Sequence, residues 1–491
     1  MGNISFNIPD SIDKTWEKEL LRSYFSGGPD TMPFFCSVSN NNNVLSLKKE
    51  EPDSCFLTIP WNIGSHGIFM SPTSTLPLSD LPYSLIMEIA RGKVNQFRNF
   101  NADWEFSGLK INKDLRDQLS NSTLEFGKAF SNTSLPFQEK CLQNTIEFAY
   151  QGSDTLIREY MRQIFDIRHQ DNQPFETGLS AKVSKPFPAS LSRKMEQSFN
   201  YMQVGFNWKN IETSQGIFSW SQVDQALESC LATGLEVIGG PVIQMTKESL
   251  PEWLATSTST ASQYATAMAR FLDTAIRRYN GKIHRWIICS GLNVVTEPAF
   301  GDETYFRIAC KLAEIAKQID SSLEIIIGVT QPWGEYTSTK KRAFSPFIFT
   351  DNLCRAGLNL AAIDIEIVMG SSPNGSFCRD MLETSRLLDL YAVLGMPLTI
   401  TLGYPSAKKQ GELEDSVFGN WKGAKTPATQ ANWAESFTCL ALSKRYIQSI
   451  HWVELSDDSE SDFPNCGLFD KDWQPKPSFD CMEKIRKTHL R

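Results

Sequence analysis

Eight short apolar runs, separated by helix-sized intervals over the C-terminal three-fifths of the chain, constrain its architecture more than any other feature. They are GLSAKVS from Gly178, FNYMQVGF from Phe199, LEVIGG from Leu235, HRWIICS from His284, LEIIIGV from Leu323, AAIDIEIV from Ala361, PLTITLG from Pro397 and SIHWVEL from Ser449. Runs of this length and β-branched content read as strands, and segments of helical periodicity such as QYATAMARFLDTAIRRY lie between many of them. Strands apolar on both faces need cover on both faces, as parallel strands under helices have. Eight β–α repeats meet this need by closing into a ring, and residues 178–491 are enough chain for a barrel that typically takes about 250 residues. A doubly wound open sheet gives a similar alternation, but no G-x-G-x-x-G or G-x-x-x-x-G-K-[ST] loop is present to support it. The expected fold class is α/β, a (β/α)8 TIM barrel.

Ahead of the barrel the pattern differs. Apolar patches such as CFLTIPW and HGIFM alternate with Asn, Ser, Pro and Gly clusters, so residues 1–78 are expected to form a small β-rich unit. From Leu81 the spacing turns helical, as in LPYSLIMEIARGKVNQF and LQNTIEFAYQGSDTLIREYMRQIF, where Leu156, Tyr160, Ile164 and Ile157, Met161, Phe165 can share a face. Residues 79–172 are expected to be a helical segment packed on the barrel, and the polar stretch His169–Thr177, with Pro174, to be a linker. Both N-terminal parts read as structural; a dedicated sugar-binding module is the other reading of the β unit.

A net charge of −8 argues against nucleic acid or an anionic membrane as partner, since both need a concentrated positive field. Neutral ligands fit better. The eleven cysteines lack C-x-x-C spacing and read as buried or free thiols. The five histidines, His66, His169, His284, His451 and His489, form no H-x-x-x-H pair, so no metal site is expected. The first residues have neither a basic start nor an apolar core, Phe6 breaks the myristoylation pattern, and no run of eighteen apolar residues occurs. The default compartment is the cytoplasm, with export through an upstream segment as the alternative. Oligomeric state leaves no mark in the sequence.

Four ordered segments carry a family likeness. FNWKNIETSQGIFSWSQVD contributes Trp208, Glu212, Gln215, Gly216, Phe218 and Asp224, and GLEVIGGPVIQMTKESLPEWL contributes Leu250, Pro251 and Trp253. RYNGKIHRW and GLFDKDWQPKPSFDCM follow. Together they resemble glycoside hydrolase family 10, the endo-1,4-β-xylanase type, in its second-strand region, its LPxW element, its entry to strand four and its LFD…PKPAY tail. The resemblance implies a barrel that hydrolyses O-glycosidic bonds in a β-linked polysaccharide or oligosaccharide, with a carbohydrate ligand and no cofactor.

The site residues depart from that pattern. The family's strand four ends in Asn-Glu, the general acid and base, but Trp286 to Asn293 contains no acid, and the next is Glu297. The nucleophilic Glu of a Thr-Glu-Leu-Asp-like strand seven is replaced in Thr401-Leu402-Gly403-Tyr404, and no Asp or Glu lies between Gly395 and Gly411. The family's third-strand Trp-His becomes Gln244-Met245, its Glu-Asn-x-x-Lys-Trp becomes Gln203 to Trp208, and its strand-six Gln and His become Glu366 and Val368. Both expected catalytic glutamates are therefore absent.

Glycoside hydrolysis usually uses two carboxyl groups, about 5–5.5 Å apart for retention and about 6.5–9.5 Å for inversion. Acids at the C-terminal ends of barrel strands are the candidates for a displaced pair. Alternation along strand six points Glu366 inward, with structural ion pairing as its other reading. Glu454 ends strand eight, followed by Asp457 and Asp458. Glu335 lies in QPWGEY after strand five, a loop that gathers Gln331, Trp333 and Tyr336 as an aromatic and amide surface of the kind sugars bind. Trp208, Gln244 and Asn293 complete the expected binding set. His451 and Cys289 read as packed core, and Glu297 as an ordinary loop acid. The reading that follows is a divergent glycoside hydrolase with displaced carboxylates; its alternative is a non-catalytic carbohydrate-binding or scaffold pseudoenzyme.

Overall fold

The computed structural model describes residues 2–490 except 14–15, 29, 171–172, 256–259, 296, 409–417 and 458–460. Eight strands form the centre: Gly178–Val183 (β1), Tyr201–Val204 (β2), Glu236–Gly239 (β3), Arg285–Ser290 (β4), Glu324–Val329 (β5), Ala362–Val368 (β6), Leu398–Gly403 (β7) and Ile447–Trp452 (β8). Each pairs in parallel with its sequence neighbour, and β8 pairs with β1, so the ring closes as a TIM barrel. All eight runs expected as strands lie in it. Their outward residues, such as Ile288, Ile365 and Ile400, join a core shared with the surrounding helices.

The interior of the ring is split. Ile238, Ile287, Ile326 and Ala362 from β3 to β6 pack with Tyr201 as an apolar plug. From β6 round to β1 the inward residues are polar and pair with one another. Asp364 accepts from Thr399 and Thr401 at 2.8 Å each, and His451 sits between Ser180 at 2.7 Å and Ser449 at 3.0 Å. Burial pushes the Asp364 carboxyl up to about 6 and holds His451 neutral, its pKa lowered to about 3. Cys289 on β4 is fully buried, and burial raises its thiol pKa.

Residues 2–84 supply seven strands to two four-stranded sheets. One is built wholly from this region, in the order 36–41, 44–49, 2–7, 83–84. The other runs 24–26, 56–62, 67–72 and is completed by Asn420–Trp421, a strand from the excursion between β7 and β8. The β unit is thus stitched to the barrel by backbone pairing. Helices Leu85–Phe106, Lys113–Lys128 and Leu135–Arg168 follow. Where the first and last of these cross, Gly152 lets the Phe97 ring approach so closely that a Cβ would stand 2.4 Å from it. Apolar residues of the two sheets and of the first and last helices merge into one core with the barrel helices, while Phe97, Leu115 and Leu156 form a smaller cluster among the three helices. No disulfide links the described cysteines, and no described helix is long and apolar enough to cross a membrane.

A buried charge joins the two halves. Lys93, fully buried on helix Leu85–Phe106, pairs with Asp380, donates to Gln96 Oε1 at 2.7 Å, and lies 4.1 Å over the Tyr150 ring. Asp380 is also the N-cap of helix Met381–Ala392, accepting from Glu383 N at 2.9 Å. Losing one member of a buried pair strands its partner, at a cost of about 3–5 kcal/mol. Lys93→Met should therefore lower unfolding stability by about that amount and expose the N-terminal helices to proteolysis first. Urea titration with limited proteolysis measures both, and an unchanged midpoint would show the pair to be dispensable.

Candidate functional site

At the C-terminal end of the ring lies a chamber of about 120 Å³, lined among others by Lys182, Gln244, Glu454, Ser461, Asp462 and Asn207. Its rim is formed by the exposed Asn210, Ser219 and Gln222. The volume is below the roughly 300–1,000 Å³ of ordinary small-molecule sites. A polar roof contributes to this: Asn374, from the loop after β6, donates to Glu248 Oε2 at 3.3 Å and to the Asp462 carbonyl at 3.2 Å.

Two carboxyl groups of the chamber lining, Glu454 and Asp462, surround Lys182, and a third, Glu366, joins the cluster through Gln244 without itself lining the chamber. Lys182 points inward from β1 because Ser180, Lys182 and Ser184 share one face of the strand. Its Nζ lies 3.0 Å from Glu454 Oε1. Glu454 also accepts from Ser184 at 2.9 Å and Ser461 at 3.1 Å. Asp462 accepts from Thr246 and from Ser249, the latter at 2.9 Å. Glu366, 5% exposed on β6, is hydrogen-bonded to Gln244 and lies within the fields of Asp364, Lys182 and Asp462. On β2 and β4 the Gln203 Oε1 and Ser290 Oγ atoms are buried without a protein partner.

The electrostatics separate these acids. Burial, reinforced by the Asp364 charge, pushes the Glu366 carboxyl up to about 8 against the pull of Lys182. Burial raises Glu454 as well, but Lys182, Ser184 and Ser461 all favour its anion. Burial opposes the charge on Lys182, yet Glu454, Asp462 and Glu366 outweigh it and raise its pKa, so the amine stays protonated. The cluster thus sets an acid raised by burial, Glu366, beside a second carboxyl, Glu454, whose anion is favoured by Lys182 and two hydroxyls.

Of the residues expected from sequence, Glu366, Glu454 and Gln244 come together here. The loop after β5 goes elsewhere. Glu335 pairs with Arg379 at 2.6 Å, and Arg379 donates to Tyr24 OH at 2.8 Å and lies 4.4 Å from the Trp333 ring centre. Strand 24–26 of the N-terminal unit thus covers Trp333, which is 7% exposed, and Glu335 serves as an interface ion pair, away from the chamber. Asn293 donates to the Thr330 carbonyl at 2.8 Å and to Tyr336 OH at 3.1 Å, tying the β4 end to the β5 loop. Gln331 donates to the Asn374 carbonyl at 3.2 Å and braces the roof from outside. Trp208 is fully buried, stacked on Phe271 with ring centres 4.8 Å apart and bonded to Glu212 at 2.7 Å, so it packs the barrel wall and cannot touch a ligand. Asp457 pairs with Lys476 at 2.7 Å, and Asp458 lies outside the described residues. Glu297 is exposed, and His451 sits in the barrel interior.

Two members were missed. Lys182 was legible as a polar residue on the alternating face of GLSAKVS. Asp462 was not, since its partners Thr246 and Ser249 are more than two hundred positions away. Strand seven is also instructive. Thr399 and Thr401 point inward, so alternation puts Gly403 inward at the rim, where a Cβ would stand 2.6 Å from Val453. Val368 and Val453 pack with Phe463 and Cys466 in this corner.

Residues 168–309, from the end of helix Leu135–Arg168 through β4 into the next helix, match the sequence model of glycosyl hydrolase family 10. No curated protein matches the chain. Among solved structures, a GH10 protein from Paenibacillus barcinonensis is 17% identical with a TM-score of 0.45, covering 64% of this chain and 95% of that one. Native xylanase 10B from Thermotoga maritima is 14% identical with a TM-score of 0.47, covering 67% and 98%. Xylanase 10B from Thermotoga petrophila RKU-1, in complex with xylobiose, is 13% identical with a TM-score of 0.46, covering 68% and 98%. The stretch that carries the glycosyl hydrolase family 10 pattern is thus the first half of a closed (β/α)8 barrel.

Proposed function

We propose that this protein is a divergent glycoside hydrolase of family 10 descent that acts on a β-linked oligosaccharide, with Glu366 as proton donor and Glu454 as the partner carboxylate. The observation that carries this reading is the geometry of two buried acids in one cluster: Glu366, 5% exposed and hydrogen-bonded to Gln244, and Glu454, held 3.0 Å from Lys182. Burial raises both carboxyls, but Lys182, Ser184 and Ser461 oppose the rise at Glu454, and glycoside hydrolysis uses a proton-holding acid together with a second carboxyl. The Glu366 proton would pass to the glycosidic oxygen as the bond to the anomeric carbon breaks. Glu454 would attack that carbon or take a proton from the water that does. Gln244, Asn207 and Asp462 offer hydrogen bonds to sugar hydroxyls at the chamber wall. The roofed volume suits the end of a chain better than the middle of one.

The second reading is a glycan-binding protein without turnover. It is favoured by the apolar corner over Gly403 and by the full set of partners already held by Glu454. One experiment separates the two. Purified protein is screened against β-linked oligosaccharides and aryl glycosides, and Glu366→Gln is assayed on whatever is cleaved. Positioned acid catalysis contributes about 10²–10⁴-fold, so kcat should fall by about that factor while glycan affinity persists. Activity kept within about tenfold would remove Glu366 from the mechanism; binding without cleavage in the unaltered protein would establish the second reading.

Glu366 also makes a prediction about stability. In the unfolded chain its carboxyl ionises near pH 4.3, whereas in the fold it keeps its proton up to about pH 8. Between those values the unfolded state binds fewer protons, so this residue costs stability increasingly as pH rises, and the cost levels off above the folded pKa. Glu366→Gln removes the penalty. Its Tm should rise relative to the unaltered protein from about pH 5 to about pH 8, as measured by calorimetry across that range; a difference independent of pH would mean that Glu366 is ionised in the fold.

A further inference from the structure

The opposite end of the barrel carries a second site. At the N-terminal ends of the strands a cavity of about 710 Å³ is lined by Arg168, Arg285 and Arg445, with Phe175, Tyr201 and Gln448. The three arginines come from separate parts of the chain. Arg168 ends the long helix Leu135–Arg168, Arg285 begins β4, and Arg445 lies in the turn before β8.

Their charges are matched unequally. Arg285 has Glu324 Oε2 at 2.5 Å and is neutralised on the strand next door. Arg168 donates through Nη1 to the Leu442 carbonyl and lies 3.7 Å over the Phe175 ring, which fixes its plane without cancelling its charge. Among the described residues neither Arg168 nor Arg445 has an ion-pair partner. The two guanidiniums are close enough that, after burial, the charge of Arg445 is the cause that lowers the Arg168 pKa. The acid on the cavity wall, Glu176, is exposed and forms no ion pair with either. In a chain of net charge −8, two uncompensated guanidiniums facing one cavity are an arrangement that repels itself until an anion enters.

We propose that this cavity binds a tetrahedral oxyanion, a phosphate or sulfate group, held between Arg168 and Arg445. Guanidinium is the side chain suited to it, because its planar fork meets two oxygens of such a group at once. The shelf formed by Tyr201, Gln448 and Phe175 leaves room for the group to be carried as an ester on a sugar as well as free in solution. This site is independent of the carboxyl cluster at the other end of the barrel.

Calorimetric titration of the full chain at constant ionic strength tests it, with inorganic phosphate, glucose 6-phosphate and glucose as probes. Saturable binding of one or both anions is expected, and Arg445→Gln should weaken it by about tenfold or more. Arg445 is exposed in a turn, so this variant keeps the fold even if Arg168→Gln, which loses its packing on Phe175, does not. Tighter binding of glucose 6-phosphate than of phosphate identifies an ester as the ligand, and the reverse order a free oxyanion. The absence of saturable anion binding, undiminished binding by Arg445→Gln, or equal binding of glucose would overturn the proposal.

Discussion

The whole molecule follows from the two-residue alternation of eight strands closed into a ring, because closure forces every second side chain into one confined space. Half of that space is filled by Ile238, Ile287, Ile326 and Ala362. Polar groups in the other half have no water to turn to, so they must satisfy each other, as Asp364 does with its two threonines and His451 with its two serines. One layer higher the same rule produces Lys182 with Glu366, Glu454 and Asp462. There the supply of partners runs short, and Gln203 Oε1 and Ser290 Oγ are left without any.

The N-terminal region decides which loops remain available. Its sheet takes Asn420–Trp421 as an edge strand and sets Tyr24 against Arg379, so the loop after β5 is used up as an interface. That converts Trp333, Glu335 and Tyr336 from apparent binding groups into packing groups. The opening is left to the β2 and β3 side, over Asn210, Ser219 and Gln222. Buried charge recurs at each junction, with Lys93 on Asp380 and Arg379 on Glu335, and such pairs hold because both partners lose water together.

The carboxyl cluster works against stability. A buried acid kept neutral up to about pH 8 forfeits the hydration its anion has in the unfolded chain. Asp364, raised by burial to about 6, adds to the same deficit, while Lys182 offsets part of it through its pair with Glu454. Glutamine or leucine at this position would avoid that cost, so the acid at Glu366 is held against stability rather than for it.

The sequence by itself determined the positions of the strands and the inward direction of Glu366, since each rests on local periodicity that a short window contains, whereas closure of the ring is the pairing of β8 with β1 across the whole domain. The apolar corner of Val368, Val453, Phe463 and Cys466 beside Gly403 belongs to the tertiary structure, since its members come from three separate stretches of chain. The split of QPWGEY and Asn293 from the site, the burial of Trp208 against Phe271, and the arrival of Lys182 and Asp462 in the chamber were decided only by the tertiary structure. Aromatic and acidic side chains read alike in sequence whether they meet a sugar or another strand. What tells them apart is a partner far along the chain: Tyr24 and Arg379 for the β5 loop, Thr246 and Ser249 for Asp462.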